Sequence, residues 1–396
     1  KTMCELLIND YTRRGFLDGR GARLPTVIPR PEVNSGLPAA FSAVLREPLK
    51  GQDVTLPVGP DMPHSVCGFR SLVRNLVHLA ELPAAAFASS SDRTLNMPAL
   101  RVTLRDLEAA MRSVVRDPSK LGSVSYEVDE ALCAKLQTFH NDMDATRARK
   151  LGFFVDPSAA AIAVDFAAEF LSDTLLKQPL EIYEEPRHNP ILANEHVRVY
   201  RTEAVCGDKT LWHAHRTDSL YFFLSGVRFR NLRPSVDAVE DSVAPGEVRF
   251  AECSGEPYIH QACFHAGQGG RGMFCLDVEL PKRPSGDGDA SGGPPLKKAR
   301  STENQIPGLT LVKDRPTVRV WQLVVAAKEK AHVKLPFGYV LWIVQSGTRV
   351  SGSLGDGVLL PAEVGFLQKE ADAPLSIDVT VHGRRELRLW LVERLV

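Results

Sequence analysis

The 396-residue sequence carries 48 basic and 48 acidic side chains, a formal charge of zero, and 44% of its residues are hydrophobic. That balance removes the electrostatic case for a nucleic-acid binder, and the apolar share excludes wholesale disorder. No apolar run approaches the roughly 18 residues a spanning helix needs, so a soluble, multi-domain protein without nucleic-acid or membrane partners is expected.

The chain opens at Lys1 directly into a helical pattern: Met3, Leu6, Leu7 and Tyr11 share one face, and Gly15 ends it. Because the first residue is not Met, the expectation is that residues ahead of it are missing and that targeting cannot be read. The apolar stretch Leu24–Ile28 reads as a strand broken by Pro29 and Pro31. Leu72, Val73, Leu76, Val77 and Ala80 mark a second amphipathic helix. Thr103 and Asp106 have capping-box spacing ahead of a stripe of Leu104, Leu107, Met111 and Val114. Asp144 is placed to cap a short helix ending at Leu151 and Gly152, and an Ala-rich helix spans 159–175.

From Glu185 the period becomes two. Val197, Val199 and Thr202 alternate with Arg198 and Arg201, and 221–224, 227–229, 247–251 and 273–280 read as further short strands. Residues 281–307, dense in Pro, Gly, Ser and Asp, read as a flexible linker; the run Lys297-Lys298-Ala299-Arg300 within it reads as a solvated segment. A second all-β stretch follows, with strands expected at 309–312, 317–325, 339–344, 357–360 and 387–392. The two β stretches begin alike and read as diverged tandem copies forming sandwiches or barrels. Seven cysteines without a Cys-x-x-Cys pair suit reduced thiols, hence a cytoplasmic location.

The segments KTMCELLINDYTRRGFLDGRGARLPTVIPRP, PLKGQDVTLPV, FRSLVRNLVHLAEL, RTLNMPALRVTLRDLEAAM and DATRARKLGF occur in order over roughly the first 170 residues. Together they resemble the NAD-dependent epimerase/dehydratase family of extended short-chain dehydrogenases, in its D-erythronate dehydrogenase-like branch. The resemblance implies the C-terminal, substrate-binding part of a Rossmann-type α/β fold, an NAD or NADP cofactor, a sugar-acid substrate and a homodimer. It aligns Lys1 with the Lys of a Tyr-x-x-x-Lys motif, a catalytic and cofactor-binding role in which the ammonium lowers the Tyr pKa and holds the nicotinamide ribose. The Tyr and the Gly-rich turn would precede Lys1. Pro25, Thr26 and Val27 then flank the nicotinamide, and Arg30 and Arg70 take the substrate carboxylate. Both arginines also read as ordinary surface residues, and Glu32-Val33-Asn34 departs from the family's loop. The glycines of 267–270 have the wrong spacing for a nucleotide turn.

Gly207, His213, His215, Ser219 and Gly226 have the spacing of a first cupin motif, with Pro245-Gly246-Glu247 and His260 approximating the second. Two His at i and i+2 face one side of a strand. With His260 they make a metal-ligand set for Zn²⁺ or Fe²⁺, although Ser219 stands where metal-binding cupins have Glu. Asp218 is the neighbouring carboxylate offered as a substitute, and a purely structural role for His260 is the alternative. Trp212, Tyr221, Phe223 and Phe229 read as core; His332 and His382 read as structural.

The fold expectation is an α/β half-domain over 1–176, a cupin-like barrel over 185–282, a linker over 283–307 and a degenerate second barrel over 308–396. The functional expectation is part of an NAD(P)-dependent oxidoreductase or epimerase with a cupin tail. Two alternatives stand beside it: a non-catalytic small-molecule-binding bicupin, and a metal-dependent cupin enzyme.

Overall fold

The computed structural model describes residues 1–87, 90–139, 143–265, 272–281, 305–369 and 375–395. The glycine cluster 267–270, the basic run 297–300 and nearly all of 283–307 lie outside the described residues. The chain forms two compact units, Lys1–Pro186 and Arg187–Val396.

The first unit contains helices α1 Thr2–Arg13, α2 Ala39–Leu49, α3 Phe69–Glu81, α4 Leu104–Val114, α5 Glu130–Gln137, α6 Thr146–Lys150 and α7 Ala159–Phe170. Short strands knit them together. Gly21–Arg23 runs parallel to Thr94–Asn96, Val54–Leu56 runs parallel to Val124–Tyr126, and His64–Cys67 lies between Thr26–Val27 and Leu100–Val102. The capping box of α4 forms as the spacing predicts: Asp106 donates its N–H to Thr103 Oγ1 at 3.1 Å, and Thr103 N–H returns to Asp106 Oδ2 at 2.9 Å. The stripe behind it is buried. Asp144 accepts the Thr146 N–H at 2.8 Å at the start of α6.

Three expectations are corrected here. The Ala-rich helix stops at Phe170, because Ser172 accepts the Thr174 N–H and starts a separate turn over Asp173–Leu175. The strand expected over 24–28 divides into Gly21–Arg23 and Thr26–Val27, with Leu24 turned outward. The apolar stripes of α1 (Met3, Leu6, Leu7, Tyr11) and α3 (Val73, Leu76, Val77) are exposed rather than packed within the unit. Periodicity marks a helical face but not what covers it.

The second unit is all-β. Its strands are β1 His188–Ala193, β2 Arg198–Ala204, β3 His213–His215, β4 Ser219–Phe223, β5 Val227–Arg233, β6 Val236–Val243, β7 Val248–Ala251, β8 Tyr258–His265 and β9 Met273–Glu279. They continue as β10 Leu309–Asp314, β11 Val318–Val325, β12 Lys330–Leu335, β13 Tyr339–Ser346, β14 Arg349–Gly352, β15 Gly357–Val358, β16 Val364–Gln368, β17 Leu375–Val381 and β18 Leu387–Arg394. The first barrel pairs a sheet ordered β7-β4-β9-β2-β1 with one containing β6-β5-β8-β3; the second pairs β10-β11-β18-β13-β16 with β12-β17-β14-β15. The strand expected over 357–360 shrinks to Gly357–Val358. Strand β6, absent from the periodicity reading, is an edge strand with mostly exposed side chains and no apolar alternation to betray it.

Alternation decides which residues meet. Leu220 and Phe222 on β4, and Leu276 and Val278 on β9, join Val318, Val320, Leu341, Ile343, Trp390 and Val392 in a core shared by the two barrels. The opposite faces of β11, β13 and β18 send Trp321, Val340, Trp342, Leu389 and Leu391 into the interior of the second barrel, which these side chains fill. The opposite faces of β4 and β9 instead border a cavity of about 200 Å³ in the first barrel.

Phe222 is fully buried, its ring centroid 5.2 Å from that of Trp390. Phe222→Ala is expected to cost about 3–5 kcal/mol, the usual range for emptying an aromatic site in a core. A lowered urea midpoint with an unchanged denaturant slope, followed by β-sheet circular dichroism, is the measurement.

Candidate functional site

The cavity belongs to the second unit, and its polar end is built by pairing. Strand β3 is antiparallel to β8 with His213 directly opposite His260, and His215 follows two residues on, so all three rings point inward. His188, from the start of β1, joins them: its ligand atom and those of His213 and His215 all lie within 4.8 Å of one another. His188, His213 and His215 are buried.

The hydrogen-bond network assigns the tautomers. His213 Nδ1–H donates to the Leu211 carbonyl at 2.8 Å, which leaves the Nε2 lone pair facing the cluster. Asn231 donates from Nδ2 to the Tyr258 hydroxyl, so its Oδ1 accepts the His260 Nδ1–H at 2.9 Å. His260 Nε2 is thereby left as a lone pair as well. Between these two atoms stands His215 Nε2, 3.1 Å from His213 Nε2 and 3.2 Å from His260 Nε2. Three ring nitrogens thus face one another, an arrangement that one cation can bind together. Two nitrogens bound to one ion at about 2.1 Å, at angles between a right angle and tetrahedral, stand about 3.0–3.4 Å apart. The observed separations fall inside that range, so the residues fit a divalent metal.

Around His215 lies an acidic shell. Its Nδ1 is 3.3 Å from the Tyr221 hydroxyl and 3.5 Å from Asp277 Oδ2. Asp277 is 1% exposed, and neither carboxyl oxygen has a hydrogen-bond donor among the described residues. Burial, and then the charge of Glu279, hold its pKa well above the usual carboxylate range. Burial and then the neighbouring His213 depress His215 well below the ordinary imidazole value, keeping it neutral as a ligand must be. Burial likewise pushes the Tyr221 phenol up.

Some expected roles move. Asp218, offered as a replacement ligand, accepts the backbone N–H groups of Cys253 and Ser254, each at 3.0 Å, and shapes that loop instead. Ser219 donates to the Thr217 carbonyl. Pro245-Gly246-Glu247 forms the turn into β7, where Gly246 adopts φ +86 and Glu247 pairs with Arg249. Phe223 belongs to a core cluster of the first barrel, as expected, with Tyr221 and Phe229 packed against it, and all three also border the cavity. His332 pairs with Asp378 and His382 with Ser351, both on the surface. His188 and Asp277 are the residues that the spacing argument misses; only the inward parity of β9, shared by Cys275, Asp277 and Glu279, hints at the second.

In the first unit, Lys1 is exposed at the start of α1. Pro25 is buried and Thr26 and Val27 are half-buried, with Thr26 Oγ1 2.7 Å from His64 Nε2. Arg30 is exposed on a loop secured by Arg46, whose Nη1 donates to the Arg30 and Glu32 carbonyls at 3.1 Å. Arg70, on α3, is clamped by α7: its Nε is 2.8 Å from Asp165 Oδ1 and its Nη2 donates to Glu169 Oε2 at 2.8 Å.

No family model matches this chain. Over 167 residues it is 34% identical to a D-erythronate dehydrogenase of Haemophilus influenzae, covering 42% of this chain and 52% of that protein. A solved structure described as a nucleoside-diphosphate-sugar epimerase from Agrobacterium tumefaciens matches at 35% identity and a TM-score of 0.41, covering 44% of this chain and 50% of the other. A cupin 2 conserved barrel domain protein from Leptotrichia buccalis matches at 10% identity and a TM-score of 0.31, over 52% of this chain and 86% of its own. Over part of its length the chain is thus homologous to a dehydrogenase, and its second unit is built of two all-β barrels. The homologous stretch is similar to D-erythronate dehydrogenase, and the chain spans about half the length of that curated relative.

The Arg70 clamp yields a test. Asp165 is buried beside it, so Arg70→Ala should cost about 1–3 kcal/mol by leaving a buried carboxylate short of its charge-assisted partner. Comparison of urea midpoints for the wild type, Arg70→Ala and Arg70→Lys measures it, with Lys expected to recover only part of the loss.

Proposed function

We propose that this chain carries the substrate-binding part of an NAD(P)-dependent oxidoreductase or epimerase acting on a sugar acid or sugar derivative, joined to a metal-binding cupin-like barrel and a second, degenerate one. The corresponding division is 1–176, 185–282 and 308–396, with 283–307 as linker. The observation that supports the redox reading is the 34% identity to D-erythronate dehydrogenase over 167 residues. In this reading the nicotinamide supplies or takes the hydride. Lys1 holds its ribose and lowers the pKa of a tyrosine ahead of it; Pro25, Thr26 and Val27 border the ring. Of the two arginines assigned to the substrate carboxylate, Arg30 carries the larger share, since Arg70 already has two acidic partners. The exposed apolar faces of α1 and α3 suit a homodimer. All seven cysteines are free, and no helix among the described residues is long and apolar enough to cross a membrane, which suits the cytoplasmic location we propose. The test is to express the chain with whatever its gene encodes ahead of Lys1 and titrate it with NAD⁺ or NADP⁺ and D-erythronate. Reduced nicotinamide should accumulate; no turnover of any four-carbon sugar acid with either cofactor would remove this reading.

A metal-dependent function of the first barrel is favoured by a separate observation, the convergence of imidazole nitrogens. His213, His215 and His260 are the ligands, with His188 as the fourth, for Zn²⁺ or Fe²⁺. A bound ion would act there as a Lewis acid toward an oxygen of the ligand. His213→Ala should lower metal content at least tenfold with an unchanged circular dichroism spectrum. Asp277→Asn should weaken binding by about tenfold, the effect of losing an outer carboxylate that orients a ligating His. Elemental analysis after dialysis against buffered Zn²⁺ decides. Equal metal in wild type and His213→Ala would sink the assignment and leave a metal-free binding barrel.

A further inference from the structure

The walls of the cavity differ in chemistry from its polar end, and the difference names a ligand. Beyond the histidines the apolar lining includes Phe223, Phe229, Phe250, Phe264 and Met273; of the polar lining groups, Asn231 already bonds Tyr258 and His260, Thr210 accepts the Ala262 N–H and Tyr221 stands beside His215. Arg249 is the one cation among the lining residues, and it is already neutralised: Nη1 reaches Asp241 Oδ2 at 2.5 Å, and Nε reaches Glu247 Oε1 at 2.7 Å. It is therefore not available to receive a carboxylate. Thr202 is different. It is 3% exposed, borders the cavity, and its hydroxyl has no hydrogen-bond partner among the described residues. A buried hydroxyl without a partner among the described residues is a donor open to a ligand oxygen in the cavity.

Charge points the same way. Neutral imidazoles bring no charge to a divalent ion, and Asp277 behind His215 balances only one of its two, so an anionic oxygen is the group that completes the site. The remainder of such a molecule must lie against phenylalanine. Each hydroxyl placed there without a partner would reduce affinity roughly ten- to hundredfold. The volume of about 200 Å³ is below the roughly 300–1,000 Å³ of pockets for drug-sized ligands, which restricts the molecule to about one ring.

From this we infer that the first barrel binds a compact apolar or aromatic acid, its anionic oxygen on the metal and accepting from Thr202, its body against Phe223, Phe229 and Phe264. The inference rests on the metal reading above and deepens it. It also separates the barrel from the polyhydroxylated acid proposed for the first unit, so one chain would serve two ligand chemistries.

Isothermal titration of the full chain with benzoate and with D-erythronate tests it, after metal content has been measured. In the Zn²⁺-loaded protein, benzoate should bind at least about tenfold tighter than D-erythronate, and stripping the metal should abolish the benzoate signal. Thr202→Val, which keeps the shape and removes the donor, should weaken benzoate about five- to tenfold with metal content unchanged. To separate the barrel from the first unit, D-erythronate binding is compared in His213→Ala, which should leave it unaltered. Metal uptake with equal or tighter erythronate binding in the barrel overturns this inference alone. Failure to take up metal overturns the metal reading and this one with it.

Discussion

Adjacent residues of β4 and β9 belong to two different interiors. The pleat turns Leu220, Phe222, Leu276 and Val278 toward the second barrel and Tyr221, Phe223, Cys275 and Asp277 toward the cavity. Because the outward set is wholly apolar, the first barrel cannot expose it to water, and the second barrel supplies the cover. The inward set then needs only a smaller core, in which Phe223 and Cys275 pack with Val227, Val243 and Phe264. It can hold buried histidines, a carboxyl and a hydroxyl that would be costly in an interior designed only for packing. A one-residue slip in either strand would exchange the two sets and destroy both interiors at once.

Within the cavity, burial sets the electrostatics. Removal from water favours neutral imidazole at His215 and the protonated carboxyl at Asp277 when no cation is near. A divalent ion reverses the second preference and leaves the first, since ligation requires the neutral ring. For the metal proposed above, the arrangement would hold its ligands in the binding-ready state and keep an acid behind them to balance charge through His215. The other buried acid, Glu279, is differently placed: it accepts from the Tyr200 hydroxyl at 3.2 Å and is tied to the wall.

Local signals were legible in the sequence wherever one residue's chemistry settled the matter. The Thr103–Asp106 box, the α4 stripe and the His213–His215 pair each follow from spacing along a single element. Residues joined across the sheet did not show themselves. His188 lies 25 positions before His213 and carries no motif, and Asp277 sits in a strand that reads simply as apolar. Asp218 was a plausible ligand by proximity along the chain, but its backbone partners at Cys253 and Ser254 are 35 and 36 residues away. The exposed stripes of α1 and α3 show the converse limit, because amphipathicity announces a partner without saying whether it lies in the same chain.

The two barrels provide an internal control for Asp277. Their strand registers match step for step: Arg198 lies opposite Glu279 on β2 and β9, and Arg319 lies opposite Glu393 on β11 and β18. Two residues along, Tyr200 donates to Glu279, and Trp321 donates its Nε1–H to Glu393 at 2.8 Å. A buried aromatic donor on a buried glutamate thus recurs at equivalent places and belongs to the scaffold. Stepping back two residues from each glutamate reaches Asp277 in one barrel and Leu391 in the other. Leu391 is fully buried among the side chains that fill its barrel. The scaffold accepts leucine at this position, so an acid without hydrogen-bond donors among the described residues is not there for packing. It occurs in the barrel that has a cavity and clustered histidines, where a buried negative charge would answer the cation proposed for them.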